Sequence, residues 1–473
     1  MIDSLYKRGA WLLGYRGVPF AVRGIFRFEV MHMTVWGVAW GCLNAKFCMY
    51  VARRSLDAPM AAVSLIAAST ALANILAIWW GSLATRFERK RLLIASLGCV
   101  AVIMSSVTLA PRLTPRMTAW LFAFQLVLAW VAVQASNTVR TSLWRTNYPD
   151  HLRARILARF AIWQMAVGSL TVVFAGAYLD GALTLPATGL RLDLTFLPGA
   201  NSPDAFRYVF LGGAASALLA AAIYRRVRVR GTRRGAQAAA VSLPGALAFS
   251  DAAPGWFATS VLGVRTGVRE AFEVLRDDPA YRRYMGWQML AGSANMITFV
   301  PIVLILDDYF EVSYVAAAGL LAMIPQLVII AGTPYWARRF DRWDIARFRS
   351  VQMVISTAAF MLTALGVRQG SLALFGLSFA LRGWAECAGR FAWQLGHMAF
   401  ARPHKDALYM GVHQALTGLR GLTMPFLGAF LYRYLLDWHI LWVAAVIQIV
   451  TAFGFARMGR AWRASPTSGR AAH

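Results

Sequence analysis

"GSLATRFERKR", Gly81 to Arg91, and "GTPYWARRFDR", Gly332 to Arg342, are two versions of one loop. Arg86 and Arg339, which open the shared RFER and RFDR, stand 253 positions apart. Other segments repeat at nearly the same distance. "FAGAYL" at Phe174–Leu179 returns as "FLGAFL" at Phe426–Leu431, 252 positions on, and Trp130 and Pro149 return as Trp384 and Pro403, each 254 on. A common offset kept in order reads as an internal duplication.

The duplicated unit is apolar. The chain of 473 residues is 59% hydrophobic, with a mean hydropathy of +0.52. Apolar stretches of roughly 20 residues recur along it, the length a helix needs to cross a bilayer. Spans are expected near 29–50, 60–84, 91–111, 117–139, 156–179, 205–224, 285–306, 313–336, 350–367, 371–397, 407–432 and 436–456. The fold expected is an all-α membrane protein of two six-helix bundles in parallel repeat, with twelve transmembrane helices. Segment 29–224 forms the first bundle and 284–456 the second. Segment 225–283 is a cytoplasmic linker, and 1–28 and 457–473 are cytoplasmic ends. The linker holds "RRVRVRGTRRGAQAAA", basic and without period, and then an amphipathic helix from Ser260 that places Val261, Val264, Val268, Phe272 and Leu275 on one face.

The net charge of +27 follows the same topology. On these spans 36 basic residues fall with the termini and alternate loops, and 8 in the opposite loops. That bias places both termini in the cytoplasm. It accounts for the charge without nucleic acid, which is excluded as a partner. Only four of the 48 basic residues are lysine, a composition of GC-rich bacterial genomes, so a bacterial inner membrane is expected. Cys42, Cys48, Cys99 and Cys387 lie within spans and form no metal-ligand spacing. No metal or other cofactor is expected, and no nucleophile–base pair or phosphate loop suggests an enzyme.

Gly81, Arg86, Arg89 and Lys90 match a loop motif of the major facilitator superfamily, which the chain resembles over nearly its whole length. Thr85 stands where the motif has an aspartate and Glu88 where it has its second glycine. The loop with Arg339, Asp341 and Arg342 resembles a degenerate second copy. The resemblance implies that these residues act in gating, that cargo binds between the two bundles, and that spans 1, 4, 7 and 10 line the cavity. The glycine and proline signature of that family's exporters is absent from span 5, "VGSLTVVFAGAYLD".

Polarity within the spans points the same way. At about 100° per residue from Arg382, Glu386 stands at about 40°, His397 at about 60°, Arg390 at about 80° and Gln394 at about 120°. Span 10 therefore has one wet stripe. A charge at mid-bilayer costs about 2.5–3.5 kcal/mol on insertion scales, so such a stripe faces a cavity or a protein partner. Glu386 is four residues from both Arg382 and Arg390 and can pair with either. It is the one carboxylate expected well within a span, which makes it the candidate for proton coupling. Arg382 is the candidate anchor for an anionic group of the cargo.

Other polar groups join these as candidate cargo contacts: Asn44 and Lys46 in span 1, Gln134 and Asn137 in span 4, Gln288 and Asn295 in span 7. Asn and Gln also suit helix–helix hydrogen bonds, and Lys46 also suits snorkelling to the interface. Arg420 and Arg390 are expected in a charge network, with Arg420 paired to Glu386 or to a backbone carbonyl. The function expected is secondary transport of a small anionic or zwitterionic solute by alternating access, with or without a proton, by a monomer in the lipid bilayer. Two alternatives stand beside it: a proton-coupled exporter of amphipathic compounds, and a transporter-like sensor or scaffold.

Overall fold

The computed structural model describes residues 18–76, 80, 87–110, 113–184, 191–229, 269, 272–401 and 406–464. Gly81, Arg86 and most of the linker lie outside these residues. So does most of the expected amphipathic helix, of which residues 269 and 272–277 are helical.

The first half contains α1 (Arg23–Cys42), α2 (Ala45–Leu56), α3 (Met60–Ile75), α4 (Arg89–Leu109), α5 (Pro115–Asn147), α6 (Asp150–Asp180) and α7 (Ala205–Arg225). The second contains α8 (Pro279–Ile297), α9 (Phe299–Asp308), α10 (Tyr314–Ala318), α11 (Ile324–Phe340), α12 (Ile345–Arg368), α13 (Leu372–Leu395), α14 (Asp406–Leu431) and α15 (Ile440–Ala464). Among the described residues eight helical stretches are long and apolar enough to cross a membrane, and Leu408–Ala461 counts among them as one stretch covering α14 and α15. α13 is not among the eight; it carries Arg382, Glu386 and Arg390.

Two of the expected spans are broken helices. Span 1 is α1 and α2, parted at Leu43–Asn44, where the Asn44 side chain accepts from Phe47 N (3.2 Å) and caps α2. Span 7 is α8 and α9, parted at Thr298, and Pro301 in the first turn of α9 has no N–H to continue the ladder. The break lets the Ile297 carbonyl reach α14. A Cβ on Gly428 would stand 1.9 Å from that oxygen, so only glycine fits there. Hydropathy averages over such breaks and did not show them. The all-α expectation also missed a small antiparallel hairpin between α6 and α7, β1 (Ala182–Thr184) with β2 (Arg191–Asp193), which pairs Leu183 with Leu192.

Packing repeats between the halves. α1 lies on α6 and α7, as α8 lies on α14 and α15. α4 lies on α5 and α7, as α12 lies on α13 and α15; α3 lies on α5, as α11 lies on α13. The halves meet through α3 with α14, α6 with α10, and α2 with α9. These pairs exchange or map onto themselves when the halves are swapped, as a parallel repeat requires. Large apolar side chains face outward in both halves, among them Phe174, Leu218, Phe430 and Phe453. A lipid surround makes those faces stable where water would not.

Candidate functional site: the cavity between the halves

Between the halves lies a cavity of about 550 Å³. Its charged lining is Lys46, Arg349, Arg382, Arg390 and Arg420 against Glu386. Asn44, Gln288, Asn295 and Gln394 line it too, so Arg382, Glu386, Arg390 and Gln394 of span 10 share a cavity with polar groups of spans 1 and 7, and His397 is not part of its wall. Span 4 departs from expectation. Its lining residue is Trp130, and Gln134 and Asn137 are not part of the wall. They share the helix face of Trp130 but stand about 6 and 10 Å further along α5. The period was right and the depth was not.

The arginines of α13 divide. Arg390 Nη2 donates to Glu386 Oε1 at 3.1 Å, and Arg390 Nη1 lies 3.6 Å from Met165 Sδ on α6, across the two halves. Arg382 lies instead over two aromatic rings, 4.5 Å from the centre of Phe360 and 5.7 Å from that of Phe379. Among the described residues its Nη1 has no hydrogen-bond partner. One carboxylate between two arginines has settled on the one nearer the C-terminal end of α13.

Lys46 does not snorkel to the interface. Its Nζ lies 5.6 Å from the ring centre of Phe299 and 5.8 Å from that of Phe379, both in the other half. Arg420 does not pair with Glu386. Its Nη1 donates to the Gln288 carbonyl (3.1 Å), the backbone alternative. Gly292 makes this possible, because a Cβ there would stand 1.8 Å from Arg420 Nη1.

Sequence reasoning misplaced buried charges, Arg349 and Glu29 among them. Arg349 was counted with a basic loop, yet it is 4% exposed, lines the cavity and donates through Nη1 to Gln352 Oε1. Its signal was present: Arg349, Gln352 and Ser356 follow helical spacing directly after the Asp344 cap, and all three line the cavity. Glu29 was placed at a span end. It is fully buried and accepts from Trp144 Nε1 (3.2 Å) and Tyr224 OH (3.1 Å), because α1 begins six residues earlier, at Arg23. Glu386, whose side chain is half exposed to the cavity, is therefore not the one carboxylate within the spans.

The halves are tied at the end of the bundle away from the chain termini. Arg53 Nε lies 3.3 Å from Asp307 and Arg53 Nη2 3.3 Å from Asp308. Tyr50 OH donates to the Val312 carbonyl, as does Arg54 Nη1. Asp180, the last residue of α6, accepts from Tyr314 N (3.0 Å) and Val315 N (2.7 Å) and so caps α10 of the opposite half. The cavity is shut at that end by ion pairs and backbone hydrogen bonds together.

A repeated pair of bundles, broken first helices in each half and a charged cavity at their interface are accompanied by a direct match. The family model for the Major Facilitator Superfamily matches residues 33–385. The chain belongs to the major facilitator superfamily. Among solved structures, that of a mutant of the nucleoside transporter NupG is similar with a TM-score of 0.67 and 15% identity, covering 92% of this chain and 99% of that one. A POT family transporter in complex with 5-aminolevulinic acid gives 0.66 and 14%, covering 92% and 96%. The inward-open xylose transporter XylE from E. coli gives 0.63 and 14%, also covering 92% and 96%. No individual curated protein matches by sequence.

A chain of the major facilitator superfamily is a secondary transporter and not an enzyme, and its cargo is a small molecule. Of the residues that resemble this superfamily's loop motif, Lys90 donates to the Arg225 carbonyl (2.8 Å) and Arg89 is exposed at the start of α4. In the second copy Arg339 stacks on Tyr335 and Trp343, with ring centres at 5.2 and 5.1 Å, while Asp341 and Arg342 stand at the exposed end of α11.

Proposed function

We propose that this transporter carries a small organic anion by alternating access, with Arg382 as anchor and both chain termini cytoplasmic in a bacterial inner membrane. The observation that carries this reading is the charge balance of the cavity: five cations line it and one carboxylate opposes them. Buried cations without counter-ions are costly, and an anionic cargo would relieve that cost. Arg382 has the geometry for the contact, since its Nη1 lacks a partner among the described residues and its planar fork suits a carboxylate or phosphate.

Lys46 supplies a link to movement. It belongs to the first half and touches Phe299 and Phe379 of the second. A cargo held by Arg382 and Lys46 would be gripped by both halves at once. Glu386 supplies a route to coupling. A proton on Glu386 would free Arg390 and raise the positive charge around the anion, so proton and anion would favour each other's binding.

A thermal-shift screen of the purified protein tests the cargo class, because a ligand that binds the folded state raises its stability. Small organic anions should raise the Tm, and neutral or cationic compounds of equal size should not. Topology is tested by thiol labelling: a cysteine in segment 198–204 should react from the outside and one at position 235 from the inside.

A further inference from the structure

Arg349 and Arg420 are 4% and 6% exposed, and both line the cavity. Each is only partly satisfied. Arg349 Nη1 donates to Gln352 Oε1 and Arg420 Nη1 to the Gln288 carbonyl, but Nε of each is buried without a hydrogen-bond partner among the described residues. Among the described residues neither pairs with a carboxylate. The two line one cavity. Two buried guanidinium groups with open donors and no acid in one cavity repel one another, and a low-dielectric surround enlarges the repulsion.

The surroundings hold this arrangement in place. Gly292 leaves the space that Arg420 fills, as described above. Gly389 does the same for the partner of Arg349: a Cβ there would stand 2.7 Å from Gln352 Nε2. The pair is also separate from the Arg382 anchor. Arg382 lies over Phe360, and Arg349 is on the same helix eleven residues earlier, about 16 Å along its axis. Its own ring contact is Phe455 of α15, at 5.4 Å.

We propose that Arg349 and Arg420 form a second anion-binding point, built within the C-terminal half, that takes a second carboxylate or phosphate group of the cargo. The cargo then carries two anionic groups, one on Arg382 and one on this pair. This rests on the anion reading above. It also gives the cavity a polarity: the first group is shared between the halves through Lys46, and the second belongs to one half alone.

The test is calorimetric binding of α,ω-dicarboxylates of four to twelve carbons, ω-phosphonocarboxylates of the same lengths, and matched monocarboxylates. In the wild-type protein at least one difunctional anion should bind about tenfold or more tightly than its monocarboxylate partner. The better of the two series identifies the second group as carboxylate or phosphate. In Arg420→Gln the ratio should collapse toward one, whatever happens to overall affinity. Gly292→Ala should do the same by displacing the guanidinium while keeping its charge. Gln352→Leu, which unties Arg349 alone, keeps the test open where either of those variants fails to fold. A merely structural role for the pair would lower stability and leave the ratio unchanged. A ratio near one in the wild type, or an unchanged ratio in the folded variants, overturns the second site. If monocarboxylates and difunctional anions alike fail to bind, the anion reading itself falls, and the second site with it.

Discussion

The ammonium of Lys46 lies 5.8 Å from the ring centre of Phe379, and the guanidinium of Arg382 lies 5.7 Å from the same ring. One residue belongs to each half, and an aromatic ring holds both charges where no carboxylate does. Cation–π contact is worth about 0.5–2 kcal/mol, less than a charge-assisted hydrogen bond to an anion. On the proposed function the ring is a resting place, and an anionic group of the cargo would displace it.

Arg382→Lys should weaken anion binding by about tenfold or more while the protein still folds, since lysine keeps the charge and loses the fork. Calorimetry with succinate measures it. If Arg382 only braces Glu386, the double change Arg382→Gln with Glu386→Gln restores full transport, and that recovery would count against the anchor.

Glu386→Gln keeps the shape of the side chain and removes its charge. Transport in the variant should lose its dependence on pH, because Arg390 is then free at every pH. A pH profile that follows the wild type would remove Glu386 from coupling and direct attention to Glu29, which is buried with Trp144 and Tyr224.

Gly428→Ala should destabilise the protein by about 1–3 kcal/mol, the range for overpacking a close contact. The new methyl meets the Ile297 carbonyl, a backbone atom that can yield only by shifting α8. Thermal unfolding in detergent reads the loss. Gly98→Ala is the control, since nothing lies within 4 Å of its Cβ position. Equal unfolding temperatures for the two variants would contradict the packing described.

Asp180→Ala removes two hydrogen bonds to α10 and with them a cap that spans the halves. Caps of this kind contribute about 0.5–2 kcal/mol, so the closed far end should open more often by a factor of about 2 to 30. A cysteine at position 44, in a background without other cysteines, should then react faster with a membrane-impermeant reagent added from the far side. Unchanged reactivity would show that Arg53 and its two aspartates hold that end alone.

Much of this was legible in the sequence. The offset between Arg86 and Arg339 predicts two like halves, and the packing of α1, α3 and α4 repeats in α8, α11 and α12. The stripe from Arg382 to Gln394 was readable because one helix face fixes which residues share a wall. Depth along a helix was harder to read. Gln134 and Asn137 have the right face and lie beyond the wall, while Arg349 looked like a loop charge and Glu29 like a span-end charge because span ends were set by hydropathy. Charged residues lower hydropathy whether they meet water or a buried partner. The breaks at Asn44 and Thr298 escaped for a related reason: a cap and a first-turn proline act through single hydrogen bonds, which a window of about 20 residues averages away.

The central claim, transport of a small anion held by Arg382, is met most directly by counterflow in proteoliposomes. Vesicles loaded with unlabelled succinate or a longer dicarboxylate, then diluted into a trace of the labelled compound, should accumulate label transiently. Arg382→Gln should abolish that accumulation, and neutral or cationic molecules of equal size should give none. Counterflow confined to neutral or cationic compounds, or anion counterflow undiminished in Arg382→Gln, would contradict the account.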